Sequence, residues 1–146
     1  MLAEAGGRPL LAWSLDAIDG AATVRDVVIV AGAHTEPAIA DLVAGGGWSK
    51  RARIVRGGTS RHESVVAGVN AIADDVDVVL IHDAARPLVS PEQFDACADL
   101  ARETGAAILA APVADTLKRV KGGTIETTVS RADLWGAQTP QGFRLA

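Results

Sequence analysis

A pair of glycines followed by hydroxyl and charged residues is the first segment that could do chemistry: RGGTSRHESV, residues 56–65. A β-branched run at 53–55 precedes it, and a helix-length stretch at 60–72 follows it. Glycine lets a ligand approach the backbone closely, and the N–H groups of a helix N-terminus attract anions. The segment could therefore bind a nucleotide or another polar ligand. The same residues also fit an ordinary strand-to-helix turn capped by Thr59 or Ser60.

A second segment, LIHDAARPLVSP at residues 80–91, places a carboxylate where a strand ends. Asp83 closes the apolar run 76–83, and Arg86 follows three residues later. Ligands of open α/β sheets bind at this edge, where Asp83 could coordinate Mg²⁺ and Arg86 could pair with a phosphate. An Asp83–Arg86 ion pair that fixes the loop is the structural alternative. We expect His82 to be a buried, hydrogen-bonded histidine and not a general base.

Hydroxyl and cationic side chains in the last third of the chain form a third candidate group. They lie in three short segments: DTLK at 115–118, SR at 130–131 and QTPQ at 138–141. Each segment could hold a phosphate, and each could equally be the ordinary polarity of a strand edge.

These segments are separated by alternating strand-like and helix-like elements. Short β-branched or apolar runs predict strands at 27–32, 53–55, 76–83 and 106–113. Helix-length segments lie at 9–18, 36–43, 60–72 and 91–103. The alternation predicts a single α/β domain over residues 1–146, with a parallel or mixed doubly wound sheet covered by helices on both faces.

The pattern changes after Pro112. Residues 113–120 and 124–130 flank Gly122 and Gly123, and they predict a two-stranded hairpin that leaves the main core. We take this projecting β-arm to cover about residues 113–139. It could be a partner surface or an ordinary solvent-exposed hairpin. The final segment, QGFRLA, is compatible with a helix.

Composition excludes several classes of protein. The net charge of −4 disfavours a nucleic-acid binder, and an aromatic content of 3% leaves few side chains that could stack on nucleic-acid bases. No apolar run is long enough for a membrane helix, which needs about 18 residues. Cys97 is the only cysteine, so no internal disulfide can form. That cysteine usage is typical of a reducing compartment, and we expect a cytoplasmic protein.

Taken together, the motifs resemble one enzyme family. GGRPLLAWSL, RGG-TSRHESV-AG, VLIHDAARP, APV-DTLKRV, SRADLW and AQTPQGF occur in the order and spacing of the 2-C-methyl-D-erythritol 4-phosphate cytidylyltransferases. The resemblance implies a Rossmann-like nucleotidyltransferase sheet with a β-arm that builds a homodimer. It implies transfer of CMP from CTP to a sugar-alcohol phosphate with release of pyrophosphate, assisted by Mg²⁺.

The resemblance also assigns nucleotide-binding residues. Gly57, Gly58 and Ser64 fall where the family recognises the cytosine ring. Asp83 falls where the family holds the nucleotide's metal-bound phosphates, which makes it the expected metal ligand.

A further set falls where the family holds the acceptor: Asp83, Arg86, Thr116, Arg131 and Thr139. Arg131 is the expected catalytic residue, because its guanidinium would position the acceptor phosphate. The resemblance implies that Arg131 and Thr139 come from the opposite subunit.

Local roles and other functions remain as alternatives. Arg131 could cap a short helix at 132–135 or pair with Asp133. The family's glycine-rich phosphate loop, its Pro-Lys-Gln segment and its last acceptor-binding residues have no counterpart in 1–146, so we expect slow turnover from this chain. A non-catalytic dimerising or nucleotide-binding module is the alternative function. A dinucleotide-dependent oxidoreductase is disfavoured, since no G-x-G-x-x-G follows a strand.

Overall fold

The computed structural model describes residues 2–145, which form nine strands and four helices. The helices are α1 Leu10–Gly20, α2 Glu36–Gly45, α3 Arg61–Val69 and α4 Pro91–Thr104. The strands are β1 Glu4–Ala5, β2 Arg8–Pro9, β3 Asp26–Ala31, β4 Arg51–Arg56, β5 Val78–Ile81, β6 Ala106–Pro112, β7 Leu117–Lys121, β8 Thr124–Val129 and β9 Trp135–Arg144. The predicted α/β alternation is confirmed.

The main strands form two sheets that we name separately. The parallel pair consists of β3 and β4, in register from Asp26 opposite Arg51 to Ala31 opposite Arg56. The mixed sheet has the order β5-β9-β6, with β9 antiparallel to both neighbours. β1 pairs with β2, and β7 pairs with β8. The prediction of a helix-compatible QGFRLA was wrong, since residues 141–144 belong to β9.

Helices cover both faces of the parallel pair, as the side chains of β3 show. Ile29 and Ala31 pack with Leu11 and Leu15 of α1 and Ile39 of α2 in one buried cluster. Val30 points the other way, where its Cγ2 lies 2.9 Å from the position of a Cβ on Gly68 of α3. Alternation of apolar side chains between the two faces of a strand therefore places α1 and α2 on one side and α3 on the other.

Helix α4 packs on the mixed sheet. It begins with a capping box, in which the Ser90 backbone N–H donates to the side chain of Gln93. Its buried face includes Cys97 and Ala101, which cluster with Ala107 of β6. The Cys97 thiol lies 3.6 Å from the carbonyl oxygens of Ala107 and Pro140, and burial raises its pKa. No helix within residues 2–145 is long and apolar enough to cross a membrane.

The β-arm is shorter than predicted at its C-terminal end. β7 and β8 pair with each other across Gly122 and Gly123, whose positive φ angles suit a tight hairpin turn. The backbone N–H of Val113 donates to the carbonyl of Leu134 and closes the base of the hairpin. From Trp135 onward the chain is β9 of the mixed sheet. Residues 135–139 are therefore not part of the β-arm, a name we keep for residues 113–134.

A groove of about 1150 Å³ runs between β3 and β5, with walls supplied by α1 and α3. Within residues 2–145, β3 pairs with β4 alone and β5 pairs with β9 alone. The predicted single sheet is thus present as two pieces, and the strand edges that face the groove make no ladder in the described part of the chain.

Hydrogen exchange should distinguish the two edges of β3. We expect amide protons that point into the groove to exchange about fivefold faster, or more, than those that bond β4. That factor corresponds to a hydrogen bond worth about 1 kcal/mol. Amide-resolved exchange followed by NMR measures both sets in one sample. Equal protection of the two sets would contradict the absence of ladder bonds along the groove.

Candidate functional site

The candidate site lies at one end of the groove, where the loop after β5 meets the start of α3. Asp83 and Arg86 come from the loop, and Arg61 and Ser64 come from the first two turns of α3. All four side chains line the groove. The structure therefore brings together three of the predicted site residues, Ser64, Asp83 and Arg86.

Two arginines flank the carboxylate of Asp83. Oδ1 accepts from Nη2 of Arg61 at 3.1 Å, and Oδ2 lies 3.5 Å from Nε of Arg86. The Asp83–Arg86 ion pair that we considered as an alternative is present, at the long end of the range. Arg61 was missed from the sequence, although its position inside the RGGTSRHESV motif was the available signal.

This cluster suits an anionic ligand. Two guanidinium groups face one carboxylate, which leaves an excess of one positive charge for phosphate oxygens. The three side chains are between 37% and 63% exposed, and partly exposed ion pairs of this kind are typically worth about 0–1 kcal/mol. A ligand could therefore rearrange these pairs at little cost.

Backbone hydrogen bonds hold the loop that carries Asp83. The Arg86 N–H donates to the carbonyl of Asp83 at 2.9 Å. The hydroxyl of Ser14, on α1, donates to the carbonyl of Ala84 at 3.3 Å. The Asp83 N–H donates to Oγ1 of Thr139 at 3.1 Å. One bond within the loop and one bond each to α1 and β9 thus fix the path of the loop.

Thr139 does not lie where we expected it. It was placed on the arm and in the opposite subunit's site, but it is buried in β9 beside Asp83 of its own chain. The reason is that β9 begins at Trp135, paired with Pro112 of β6, so the arm has already ended.

His82 is half-buried, and this burial lowers the pKa of its imidazole. Nδ1 lies 3.0 Å from Oγ1 of Thr139, and the ring packs edge-on against Phe94 at 5.1 Å. Nε2 is buried and has no hydrogen-bond partner among residues 2–145. The prediction of a buried, hydrogen-bonded histidine is met in part: the residue is half-buried, Nδ1 has a hydrogen-bond partner, and Nε2 has none among the described residues.

The two glycines before α3 are required by close packing. A Cβ on Gly57 would lie 2.7 Å from Oγ of Ser64, and a Cβ on Gly58 would lie 2.2 Å from Cβ of Glu63. Their predicted contact with a cytosine ring stays a prediction. The hydroxyl of Ser64 donates to the carbonyl of Ser60 at 3.0 Å, and its lone pairs can still accept a hydrogen bond.

Ser60 is the residue that caps α3. Its Oγ accepts from the Glu63 N–H at 3.2 Å. The carboxylate of Glu63 accepts in turn from the hydroxyl and the backbone N–H of Thr59 at 2.9 and 2.7 Å, and these bonds lower the pKa of Glu63. The loop 57–60 is therefore held rigidly against the first turn of the helix.

The remaining predicted residues lie on the β-arm. Thr116 is exposed just before β7, and Arg131 donates to the carbonyl of Ala114 at the base of the hairpin. Neither side chain lines the groove. The short helix considered at 132–135 is wrong, because a turn with Asp133 at φ 63° occupies this stretch.

Asp83 is the one carboxylate among the four residues of the candidate site, and it could serve as a protein ligand to a metal ion. No group of three or more His, Cys, Asp or Glu side chains within the described range 2–145 could hold a metal. Mg²⁺ is usually bound through one or two carboxylates together with substrate phosphates and waters. Asp83 at the groove fits that role, and a resident metal centre built from protein ligands does not.

Comparison with known proteins gives a consistent result. The sequence profile of the 2-C-methyl-D-erythritol 4-phosphate cytidylyltransferases (IspD) matches residues 1–146. A protein of that name from Halalkalibacterium halodurans is 43% identical over 143 residues, which cover 98% of this chain and 62% of the relative. A relative of the same name from a Synechococcus species is 42% identical over 147 residues, covering 100% of this chain and 65% of the relative.

Solved structures agree with the sequence relatives. The 4-diphosphocytidyl-2C-methyl-D-erythritol synthase of Anaerococcus prevotii superimposes with a TM-score of 0.86 at 30% identity, over 97% of this chain and 62% of that structure. The corresponding protein of Thermus thermophilus gives a TM-score of 0.78 at 33% identity, over 97% of this chain and 63% of that structure. The fold is thus the Rossmann-like fold of these nucleotidyltransferases, and the chain spans 62–65% of the length of the curated relatives just described.

Substitution of Gly58 should disturb the start of α3. We expect Gly58→Ala to lower the free energy of unfolding by about 1–3 kcal/mol, because its Cβ would overlap a Glu63 atom fixed to the helix backbone. Gly45→Ala is the control, since nothing lies within 4 Å of a Cβ there. Urea denaturation measures both. Equal unfolding midpoints for the two variants would contradict the packing role of Gly58.

Proposed function

Because this chain belongs to the 2-C-methyl-D-erythritol 4-phosphate cytidylyltransferase family, we propose that it carries the substrate-binding part of an enzyme that transfers CMP from CTP to 2-C-methyl-D-erythritol 4-phosphate, releasing pyrophosphate. The observation that carries the proposal is the Asp83 carboxylate between Arg61 and Arg86 at the end of the groove.

The reaction asks for positioning and neutralisation of charge. An oxygen of the acceptor phosphate attacks the α-phosphorus of CTP, and pyrophosphate leaves from the opposite side. The acceptor phosphate is already ionised near neutral pH, so no strong base is needed. In-line placement and preorganised cations then supply most of the rate enhancement.

Each residue of the cluster has a role in this proposal. Arg86 pairs with the acceptor phosphate, and Arg61 neutralises charge on the nucleotide. Asp83 is the protein ligand for Mg²⁺, which when bound would polarise the phosphoryl oxygens and offset their charge. Gly57, Gly58 and Ser64 line the approach to the cytosine ring, where the Ser64 lone pairs accept from the base.

Nucleotide binding tests the proposal on the chain itself. We expect CTP to bind at least about tenfold more tightly with Mg²⁺ than without it, and Asp83→Asn to abolish that difference, since the amide loses the charge that attracts the ion. Isothermal titration calorimetry measures both affinities. Asp133→Asn is the matched control, because it removes an exposed carboxylate from the β-arm turn, where asparagine tolerates the positive φ.

Two results would contradict the proposal. One is the absence of CTP binding with Mg²⁺ present, and the other is equal affinity for CTP and ATP. If Asp83→Asn bound CTP with the same Mg²⁺ dependence as the wild type, the chain would still be a nucleotide-binding module, but Asp83 would not be its metal ligand.

We also propose that the protein is a homodimer in which the β-arm of each subunit reaches the partner's site. Support comes from the exposed apolar side chains of the arm and its base. Val120 and Ile125 face each other across the hairpin and are 56% and 60% exposed, and Trp135 is 62% exposed. Within residues 2–145, β7 and β8 pair only with each other, and an isolated two-stranded hairpin is only marginally stable. A second subunit related by a two-fold axis would cover these exposed apolar side chains.

In this dimer Arg131 and Thr116 serve the partner's acceptor site. The guanidinium of Arg131 offers a planar, permanently charged fork that matches a phosphate. Its present bond to the Ala114 carbonyl places it at the base of the arm, where it is exposed and can exchange that partner for a ligand.

We place the enzyme in the cytoplasm, because the sequence has a single cysteine and a single thiol is typical of proteins from a reducing compartment.

A mixed dimer tests whether Arg131 acts across subunits. Arg131→Ala and Arg86→Ala homodimers should each lose acceptor binding, because each variant lacks a cation that we assign to the acceptor phosphate. A purified heterodimer of the two variants should recover one acceptor site per dimer, because one site carries both changes and the other carries neither. Calorimetry with 2-C-methyl-D-erythritol 4-phosphate, in saturating CTP and Mg²⁺, counts the sites. No recovered site, or a monomer by sedimentation, would overturn the shared arm.

A further inference from the structure

We infer that Thr139 is a positioning residue for Asp83: it fixes the Asp83 backbone through its hydroxyl and does not contact the acceptor. His82 holds that hydroxyl in place. The inference rests on the proposed role of Asp83 at the nucleotide. It replaces the acceptor-binding role that the family resemblance implied for Thr139.

The burial of Thr139 argues against a ligand contact. Thr139 is 3% exposed, and its Oγ1 already accepts a hydrogen bond from the Asp83 N–H at 3.1 Å. The same oxygen lies 3.0 Å from Nδ1 of His82. A hydroxyl has one proton and two lone pairs, so these two neighbours take two of its three hydrogen-bonding positions. A phosphate would have to displace a buried contact to reach it.

The register of the mixed sheet shows why a side chain is needed at this point. The β5–β9 ladder ends with Ile81 opposite Gln141. Continuing that register puts Asp83 opposite Thr139, beyond the last paired residues of the ladder. The Thr139 hydroxyl provides an acceptor for the backbone N–H of Asp83, two residues beyond the end of the ladder.

An irregularity on the other edge of β9 falls at the same place. The β6–β9 register shifts between Ile108 and Ala110, so that Leu109 alone faces the three residues 138–140. A bulge of this kind bends the strand and redirects side chains, and bulges are common beside active sites. Two independent features of β9, its bulge and its ladder end, thus converge on Thr139.

His82, directly after β5, completes the arrangement. Phe94 packs against its ring at 5.1 Å and limits how far the ring can turn. With its rotation limited in this way, the imidazole keeps Nδ1 beside the Thr139 hydroxyl, whose oxygen accepts from the Asp83 N–H. The carboxylate of Asp83 then faces the groove from a backbone that is fixed by Thr139 at Asp83 and by Ser14 at Ala84.

The test compares Thr139→Val, which keeps the shape and removes the hydroxyl, with Thr139→Ser, which keeps the hydroxyl. The first readout is hydrogen exchange of the Asp83 amide without any ligand. We expect exchange to rise about fivefold or more in Thr139→Val and to stay near wild type in Thr139→Ser. His82→Phe, which keeps a ring of similar size, should show the same direction of change.

The second readout is the Mg²⁺ dependence of CTP affinity by calorimetry. We expect Thr139→Val to reduce the gain from Mg²⁺ about tenfold, the effect typical of groups that orient a metal ligand. Thr139→Ser should restore it. The affinity of Thr139→Val for 2-C-methyl-D-erythritol 4-phosphate, measured in saturating Mg²⁺ and CTP, should fall by a smaller factor than its Mg²⁺-dependent gain in CTP affinity. Thr139→Ala replaces Thr139→Val if the valine variant does not fold.

Two outcomes would overturn the inference. One is an unchanged exchange rate of the Asp83 amide in Thr139→Val. The other is a loss of acceptor affinity with the Mg²⁺ dependence intact, which would return Thr139 to the acceptor site. Failure of the wild-type chain to bind CTP would sink the proposed function instead, and the ligand-free exchange measurement would still decide whether Thr139 fixes Asp83.

Discussion

The packing of helix α1 holds the described structure together, because the parallel pair and the mixed sheet share no strand pairing within residues 2–145. Leu11 and Leu15 pack on the parallel pair, whereas Ala17 packs with Phe94 of α4, which covers the mixed sheet. Burying one leucine side chain is worth about 1.5–3 kcal/mol, so a few such contacts can fix the two sheets relative to each other.

Hydrogen bonds reinforce this connection around the site. The carboxylate of Asp95 on α4 accepts from the backbone N–H groups of Ala22 and Thr23, in the loop between α1 and β3. The bond from Ser14 to the Ala84 carbonyl ties α1 directly to the loop that carries Asp83. The distance between Asp83 and Arg61 therefore depends on a helix that supplies neither residue: Asp83 follows a strand of the mixed sheet, and Arg61 belongs to α3, which packs on the parallel pair.

The sequence predicts the local parts of this arrangement and misses the long-range parts. Helices α3 and α4 follow from Ser60 and Ser90, whose capping bonds span three residues, and the hairpin turn follows from Gly122–Gly123. β9 could not be predicted, because QGFR has no strand-like alternation of its own and is held by β5 and β6 on either side. The Arg61–Asp83 pair and the Asp83–Thr139 bond join residues 22 and 56 positions apart, so only the folded chain shows them.

The single cysteine gives the molecule a built-in reporter of one part of its core. Cys97 is 7% exposed, between α4 and the mixed sheet, and burial raises its thiol pKa, so little reactive thiolate is present or accessible in the folded state. We therefore expect slow alkylation of the native chain, and faster alkylation when α4 separates from β6 and β9. The same shielding leaves the surface free of competing thiols, so a cysteine introduced on the β-arm could carry a spectroscopic probe without prior removal of the natural one.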